Sequence, residues 1–206
     1  MHITKIRWSQ RKKDRVLIDI DGAFGLSISA DLLLKEGLKV GDEISEERIE
    51  TIGQYGRSEA ARDKALNYLS YRPHSQKELG EKLKRAGFSE DQADEAIRFA
   101  NERAYQSDEE YANAMVRHLI SKKYSNRRIL QELAFKGIES ELAKTALAPY
   151  IDEEERIFAC MQKKTKTGGI KNKEEKNKLV QSLLRMGYAY DVIASALPQI
   201  AEDEML

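Results

Sequence analysis

Side chains that could carry catalysis or hold a metal are sparse in this chain. His2, His74 and His118 lie in three different segments, and Cys160 is the single cysteine. A metal site built on such residues needs paired ligands, at spacings such as H-x-x-x-H or C-x-x-C, and neither spacing occurs. Cys160 falls on the apolar side of its helical pattern, the position of a small buried hydrophobe, not of a nucleophile. Acid pairs such as Asp91 with Glu95 stand at helix starts, where the positive end of the helix dipole accounts for them. No phosphate-binding G-x-x-x-x-G-K-[ST], no G-x-G-x-x-G and no G-x-S-x-G is present. Gly168-Gly169 stands among lysines but is not flanked by a strand and a helix start, so it reads as a mobile connector. The sequence carries no enzyme signature and implies no cofactor.

Binding is the chemistry that remains. Lysine plus arginine balances aspartate plus glutamate, 35 against 35. That neutrality weighs against a generic nucleic-acid binder, which usually shows a basic excess. The charges are unevenly placed, however. Tyr111 to Gln131 holds Arg117, Lys122, Lys123, Arg127 and Arg128 with no acid. Arg156 to Lys173 holds Arg156, Lys163, Lys164, Lys166, Lys171 and Lys173, again with no acid. Arg72 marks a third acid-free turn. Such clusters attract phosphate or an acidic protein surface, with a steep dependence on salt. The plainer use is a solvated face whose lysines compensate helix C-termini. Arg72, Arg117, Lys122, Lys123, Arg127, Arg128, Lys163, Lys164, Lys166, Lys171 and Lys173 are the candidate partner-binding residues. Tyr71, Tyr105, Tyr124 and Tyr150 stand near the same turns. They could stack on bases, although packing between helices is the commoner use.

The elements that position these residues follow from a repeat. Gly87, Gly137 and Gly187 are evenly spaced (137 − 87 = 50; 187 − 137 = 50). Leu83, Leu133 and Leu183 precede them by four residues, and Leu79, Ile129 and Leu179 by eight. Phe88, Ile138 and Tyr188 follow directly. Each period reads as three helices, with the glycine as a left-handed stop after the second. Ser75 with Glu78, Ser89 with Gln92 and Ser107 with Glu110 have the form of capping boxes, and Ser125 caps the helix of Ile129. A single period of about 50 residues buries too little surface to be stable alone. Stacked periods share their interfaces, which predicts an elongated, curved body.

Residues 1 to 57 differ. Ile3, Ile6 and Trp8, then Val16, Ile18 and Ile20, then Phe24, Leu26 and Ile28 alternate as three short strands. Asp21-Gly22 is a hairpin turn, and Ser9 to Asp14 makes a longer one. Asp31 caps a short helix ending at Gly37, and Ser45-Glu-Glu-Arg48 starts another. A sheet this small must lean on the helices that follow. Ser58 opens the helical region. The predicted architecture is therefore mainly α: a β-rich domain over 1–57, then three-helix repeats over 58–105, 106–150 and 151–206. No apolar run is long enough to span a membrane. The N-terminus lacks a signal-peptide core, and a lone cysteine fits a reducing cytoplasm.

Three segments together resemble one family. They are Ser75-x-x-Glu78-Leu79-x-x-x-Leu83-x-x-x-Gly87-Phe88, Tyr105-x-x-Asp108-Glu-Glu-Tyr111-Ala112, and Arg128-Ile129-x-x-Glu132-Leu133-x-x-Lys136-Gly137-Ile138. In this order and spacing they resemble the RecX family of bacterial recombination regulators, over about residues 58 to 200. The strand-rich N-terminus is similar to the extension of its longer, Gram-positive-type members. Ala104 stands where a glycine often precedes the tyrosine, and Ser125 and its neighbours replace a glycine common in that turn. The resemblance implies a monomeric protein that lies along the RecA filament. It also implies inhibition of RecA's ATPase, strand-exchange and coprotease activities, with DNA phosphate as a further contact of the basic turns. An independent helical DNA-binding protein is the competing reading.

Overall fold

A computed structural model describes residues 1–10, 14–165, 170 and 172–203. Residues 11–13 of the longer turn from Ser9 to Asp14, and Gly168-Gly169 of the connector, lie outside the described residues. The alternating N-terminal residues form the expected antiparallel sheet, β1 (Ile3–Trp8), β2 (Arg15–Ile20) and β3 (Ala23–Ser29), in that order. Asp21 and Gly22 both take positive φ, 49° and 85°, as a two-residue hairpin turn with the twist of its strands requires. Ile3, Val16, Ile18, Ile20, Leu26 and Ile28 form one buried face, closed by Leu32, Leu38, Ile44 and Ile52. Helix α1 (Ala30–Glu36) is capped by Ser29, whose Oγ accepts from the Leu32 amide, and not by Asp31. Asp31 sits in the first turn instead, where the helix dipole also favours an acid.

The largest departure from the sequence reading is α2 (Glu46–Tyr71), one continuous 26-residue helix where two separate starts were expected. Ser45 caps it, and Ser58 lies in its interior. Gly53 and Gly56 do not break it, because both face the sheet at close range. A β-carbon on Gly56 would stand 2.8 Å from Ile28 Cγ2, and one on Gly53 3.1 Å from Leu26 Cδ2. The missing side chains let the helix backbone settle on β3, and burial of the sheet outweighs the poor helix propensity of glycine. Arg15, buried beneath, donates from Nη2 to the Ser27 and Gly56 carbonyls, tying sheet to helix.

The chain divides into two compact units. The first, Met1–Pro73 with Leu79–Gln106, adds to the sheet and α2 most of α3 (Gln76–Arg85) and all of α4 (Glu90–Glu102). Its helical core is Ala61, Ala65, Leu79, Leu83, Ala93 and Ala96, with Tyr68, Leu69, Phe88 and Ile97 packed around it. The four alanines allow close approach of α2 and α4. Ser89 and Gln92 make the full reciprocal capping box at the start of α4.

The second unit, His74–Glu78 with Ser107–Leu206, holds α5 (Asp108–Ser121), α6 (Asn126–Phe135), α7 (Ser140–Leu147), α8 (Glu154–Thr165), α9 (Lys173–Arg185) and α10 (Tyr190–Asp203). It has two cores: one around Val116, Ile129, Leu133 and Leu147, the other around Ile157, Met161, Leu183 and Ile193. Gly87, Gly137 and Gly187 take φ of 93°, 81° and 94°, so all three are the left-handed stops that their spacing indicated.

Candidate partner-binding surface

The basic turn between α5 and α6 is built by two caps back to back. The α5 end closes when the amides of Lys123 and Tyr124 bond back to the Ile120 and Leu119 carbonyls. This puts Lys123 at φ 64°, a left-handed conformation in a residue with a β-carbon. Ser125 then caps α6, its Oγ accepting from the Arg128 amide. The four predicted cations of this turn consequently have different surroundings. Lys122 and Arg127 are exposed. Lys123 is half-buried, and its carbonyl accepts from the Tyr188 hydroxyl at 2.8 Å. Arg128 is half-buried, pairs with Glu132 at 2.6 Å and lies 5.7 Å from the centre of the Tyr124 ring.

Lys163 and Lys164 are exposed in the last turn of α8. Together with Lys123 they act electrostatically on Cys160, so the second and third repeats contribute cations to one neighbourhood. Arg117 is exposed on α5 and Lys173 at the start of α9. Arg72 is exposed at the C-terminus of α2 in the first unit, donating to its neighbour's carbonyl, Pro73 O, at 2.9 Å. Lys166 and Lys171 lie outside the described residues. Arg156, part of the same basic run in sequence, is buried. It bonds through Nη2 to Asn126 Oδ1 and stands 3.7 Å from Glu153. Of the tyrosines near the turns, Tyr124 packs beneath Arg128, whereas Tyr71, Tyr105 and Tyr150 are exposed, by 81%, 57% and 37%.

Sequence reasoning missed what holds the basic turn in place. Within the second unit, the N-terminus of α3 seats on the α6–α7 turn. Ser75 Oγ donates to Lys136 O at 2.7 Å, the Gln76 amide to Asp108 Oδ1 at 2.9 Å, and Lys77 Nζ to Phe135 O at 3.0 Å. Fifty residues on, the N-terminus of α6 seats on the α9–α10 turn. The Ser125 amide donates to Met186 O at 3.1 Å, and the Asn126 amide to Glu153 Oε2 at 2.7 Å. Ser75 and Ser125 are buried, and the turn glycines fit against these helix starts. A β-carbon on Gly137 would come within 2.7 Å of Lys77 Cβ, and one on Gly187 within 2.5 Å of Ser125 Oγ. The signal was present in the sequence as Ser75 and Ser125 at the same offset from successive glycines.

Buried groups nearby are chemically quiet. Burial pushes the Cys160 thiol up, against the opposing pull of Lys164, Lys123 and Lys163, and it pushes the Tyr188 phenol well above its ordinary range. Both are therefore protonated at neutral pH. Among the described residues no group of three His, Cys, Asp or Glu side chains could hold a metal ion, and no helix is long and apolar enough to cross a membrane.

A three-stranded sheet followed by tandem three-helix domains, with the helix starts at Ser75 and Ser125 seated on the turns of Gly137 and Gly187 within the second unit, defines a tandem three-helix-domain protein. Family models match the chain in that order. The RecX N-terminal domain matches residues 1–45, and the first, second and third RecX three-helix domains match 61–99, 107–147 and 152–197. The regulatory protein RecX of Bacillus licheniformis is 34% identical over 203 residues, covering 96% of this chain and 77% of that protein. That of Caldanaerobacter subterraneus is 32% identical over 200 residues, covering 96% and 98%. The crystal structure of RecX from Lactobacillus salivarius is 28% identical with a TM-score of 0.60, over 70% of this chain and 97% of that one. A further crystal structure of a regulatory protein RecX shares the fold at a TM-score of 0.68 and 24% identity, over 95% and 98%. The chain belongs to the RecX family of regulatory proteins.

Proposed function

We propose that this chain binds the RecA recombinase filament and mainly inhibits its ATPase, strand-exchange and coprotease activities, as a non-enzymatic, monomeric, cytoplasmic regulator of DNA repair and recombination. The observation that carries the reading is the match of all four RecX domain models in order along one chain. Lys122, Arg127, Lys163, Lys164 and Lys173, with Arg117 and Arg72, supply the exposed cations for acidic RecA surface or DNA phosphate. Each contact is modest, and several on one chain add by avidity. Lys123 and Arg128 take part through their backbone and stacking positions, which fix the turn that presents Lys122 and Arg127.

Co-sedimentation with RecA filaments on single-stranded DNA tests this reading, using the K122E/R127E double variant and a series of salt concentrations. Wild-type protein is expected in the filament pellet. The double variant is expected to lose most of that binding while its thermal stability falls by less than about 1 kcal/mol, the scale of an acid placed at a helix C-terminus. Equal binding to bare DNA and to filaments would favour an independent nucleic-acid binder instead.

A further inference from the structure

The seat used twice within the second unit has a counterpart at Gly87 that no described segment of the first unit fills. Each filled seat joins the turn glycine to a carboxylate earlier in the same repeat, Asp108 standing 29 positions before Gly137 (137 − 108 = 29) and Glu153 standing 34 before Gly187 (187 − 153 = 34). In the first unit Ser58 stands at the offset of Asp108 from Gly87 (87 − 58 = 29). Ser58 and Gly87 line one open cavity of about 520 Å³, together with Gln54, Arg57, Ser89, Asp91, Gln92 and Glu95. A β-carbon built on Gly87 meets nothing within 4 Å, whereas those on Gly137 and Gly187 run into the side chains of a docked helix start.

We propose that the Gly87 cavity receives the first turn of an α-helix from a partner protein, capped by serine or threonine and carrying a lysine or arginine within that turn. Both filled seats set these requirements. Each takes a capping serine, and each holds the following backbone amide with a carboxylate, Asp108 or Glu153. Each also lays the stem of a basic side chain, Lys77 or Arg128, against the glycine. Asp91 offers the cavity a carboxylate that suits the positive end of a helix dipole, whereas Glu95 is paired with Arg62 and Arg57 adds a cation to the lining. A second copy of this chain is a poor occupant. Its α3 and α6 starts are already seated. In α9 the position equivalent to Ser75 and Ser125 is Glu175 (175 − 125 = 50), and it lies inside the first turn, because Asn172 caps the helix three residues earlier.

The test uses the full-length chain and a helix-stapled peptide reproducing Lys123 to Phe135, with the capping serine and both arginines of a filled seat. Titration followed by amide NMR is expected to shift resonances of Ser58 and of Gly87 to Gln92. The binding constant should weaken roughly tenfold or more in Q54W, which fills the cavity, and in D91K, which reverses its charge. A peptide with the capping serine replaced by alanine should bind more weakly than the parent. Absence of shifts at millimolar peptide, shifts centred elsewhere, or affinity indifferent to both variants would overturn the proposal. Thermal melts of Q54W and D91K that match wild type keep any loss of binding attributable to the cavity.

Discussion

At the residue scale, equal-looking positions separate by what surrounds them. Gly87 and Gly187 share a left-handed φ, so alanine at either suffers backbone strain of about 1–2 kcal/mol. Only at Gly187 would the new β-carbon also meet Ser125 and Arg128. G187A is therefore expected to lower stability by ~2 kcal/mol more than G87A in chemical denaturation, the cost of overpacking a tight site. Ala104 takes φ 55°, a left-handed conformation that glycine adopts without strain, and A104G is expected to raise stability by about 0.5–1 kcal/mol. A pH effect follows from Glu95. Its carboxyl is held below the ordinary value of 4.5 by the Ser58 hydroxyl first and by Arg62 as well. A lowered pKa stabilises the fold above the unfolded-state value, and that stability is lost as pH falls through the folded-state value. E95Q should therefore weaken the protein near pH 7 and flatten the acid limb of its stability profile below about pH 4.5. A melt series in which E95Q and wild type run parallel from pH 7 to 3 would contradict this.

At the scale of elements, the helices of the repeat were legible because each carries its own punctuation. The serine caps, the buried leucine or isoleucine eight residues and the leucine four residues before each glycine, and the left-handed glycines are local signals, and all stand where their spacing put them. Helix α2 was not legible, because Gly53 and Gly56 have their meaning only against Leu26 and Ile28, some 25 to 30 residues away. G56A tests that explanation. Alanine is the better helix former by about 1 kcal/mol, yet the variant is expected to lose ~1–3 kcal/mol because its methyl group would enter Ile28. A gain in melting temperature would mean that α2 does not rest on the sheet there. The candidate surface was half legible. Charge runs identified the basic turns, but a run cannot distinguish exposed Arg127 from Arg128, which pairs with Glu132, or from Arg156, which is buried. That distinction depends on which helix start is seated on which turn, a long-range fact.

At the scale of the whole molecule, the repeat period and the balanced charge belong together. The repeats share one plan, a capped second helix and a glycine stop, and in the second and third repeats the turn also holds a helix start, while the exposed cations differ from one repeat to the next. The shared plan makes the fold, and the differing cations are where a partner would be read. The family follows from the plan, and action on RecA is the account's central claim. It is tested most directly by ATP hydrolysis of preformed RecA filaments on single-stranded DNA, titrated with this protein from far below equimolar upward. The account predicts inhibition well below one molecule per RecA subunit, and a marked loss of that inhibition in K122E/R127E at unchanged stability. Hydrolysis that stays at its starting rate at every ratio would contradict it.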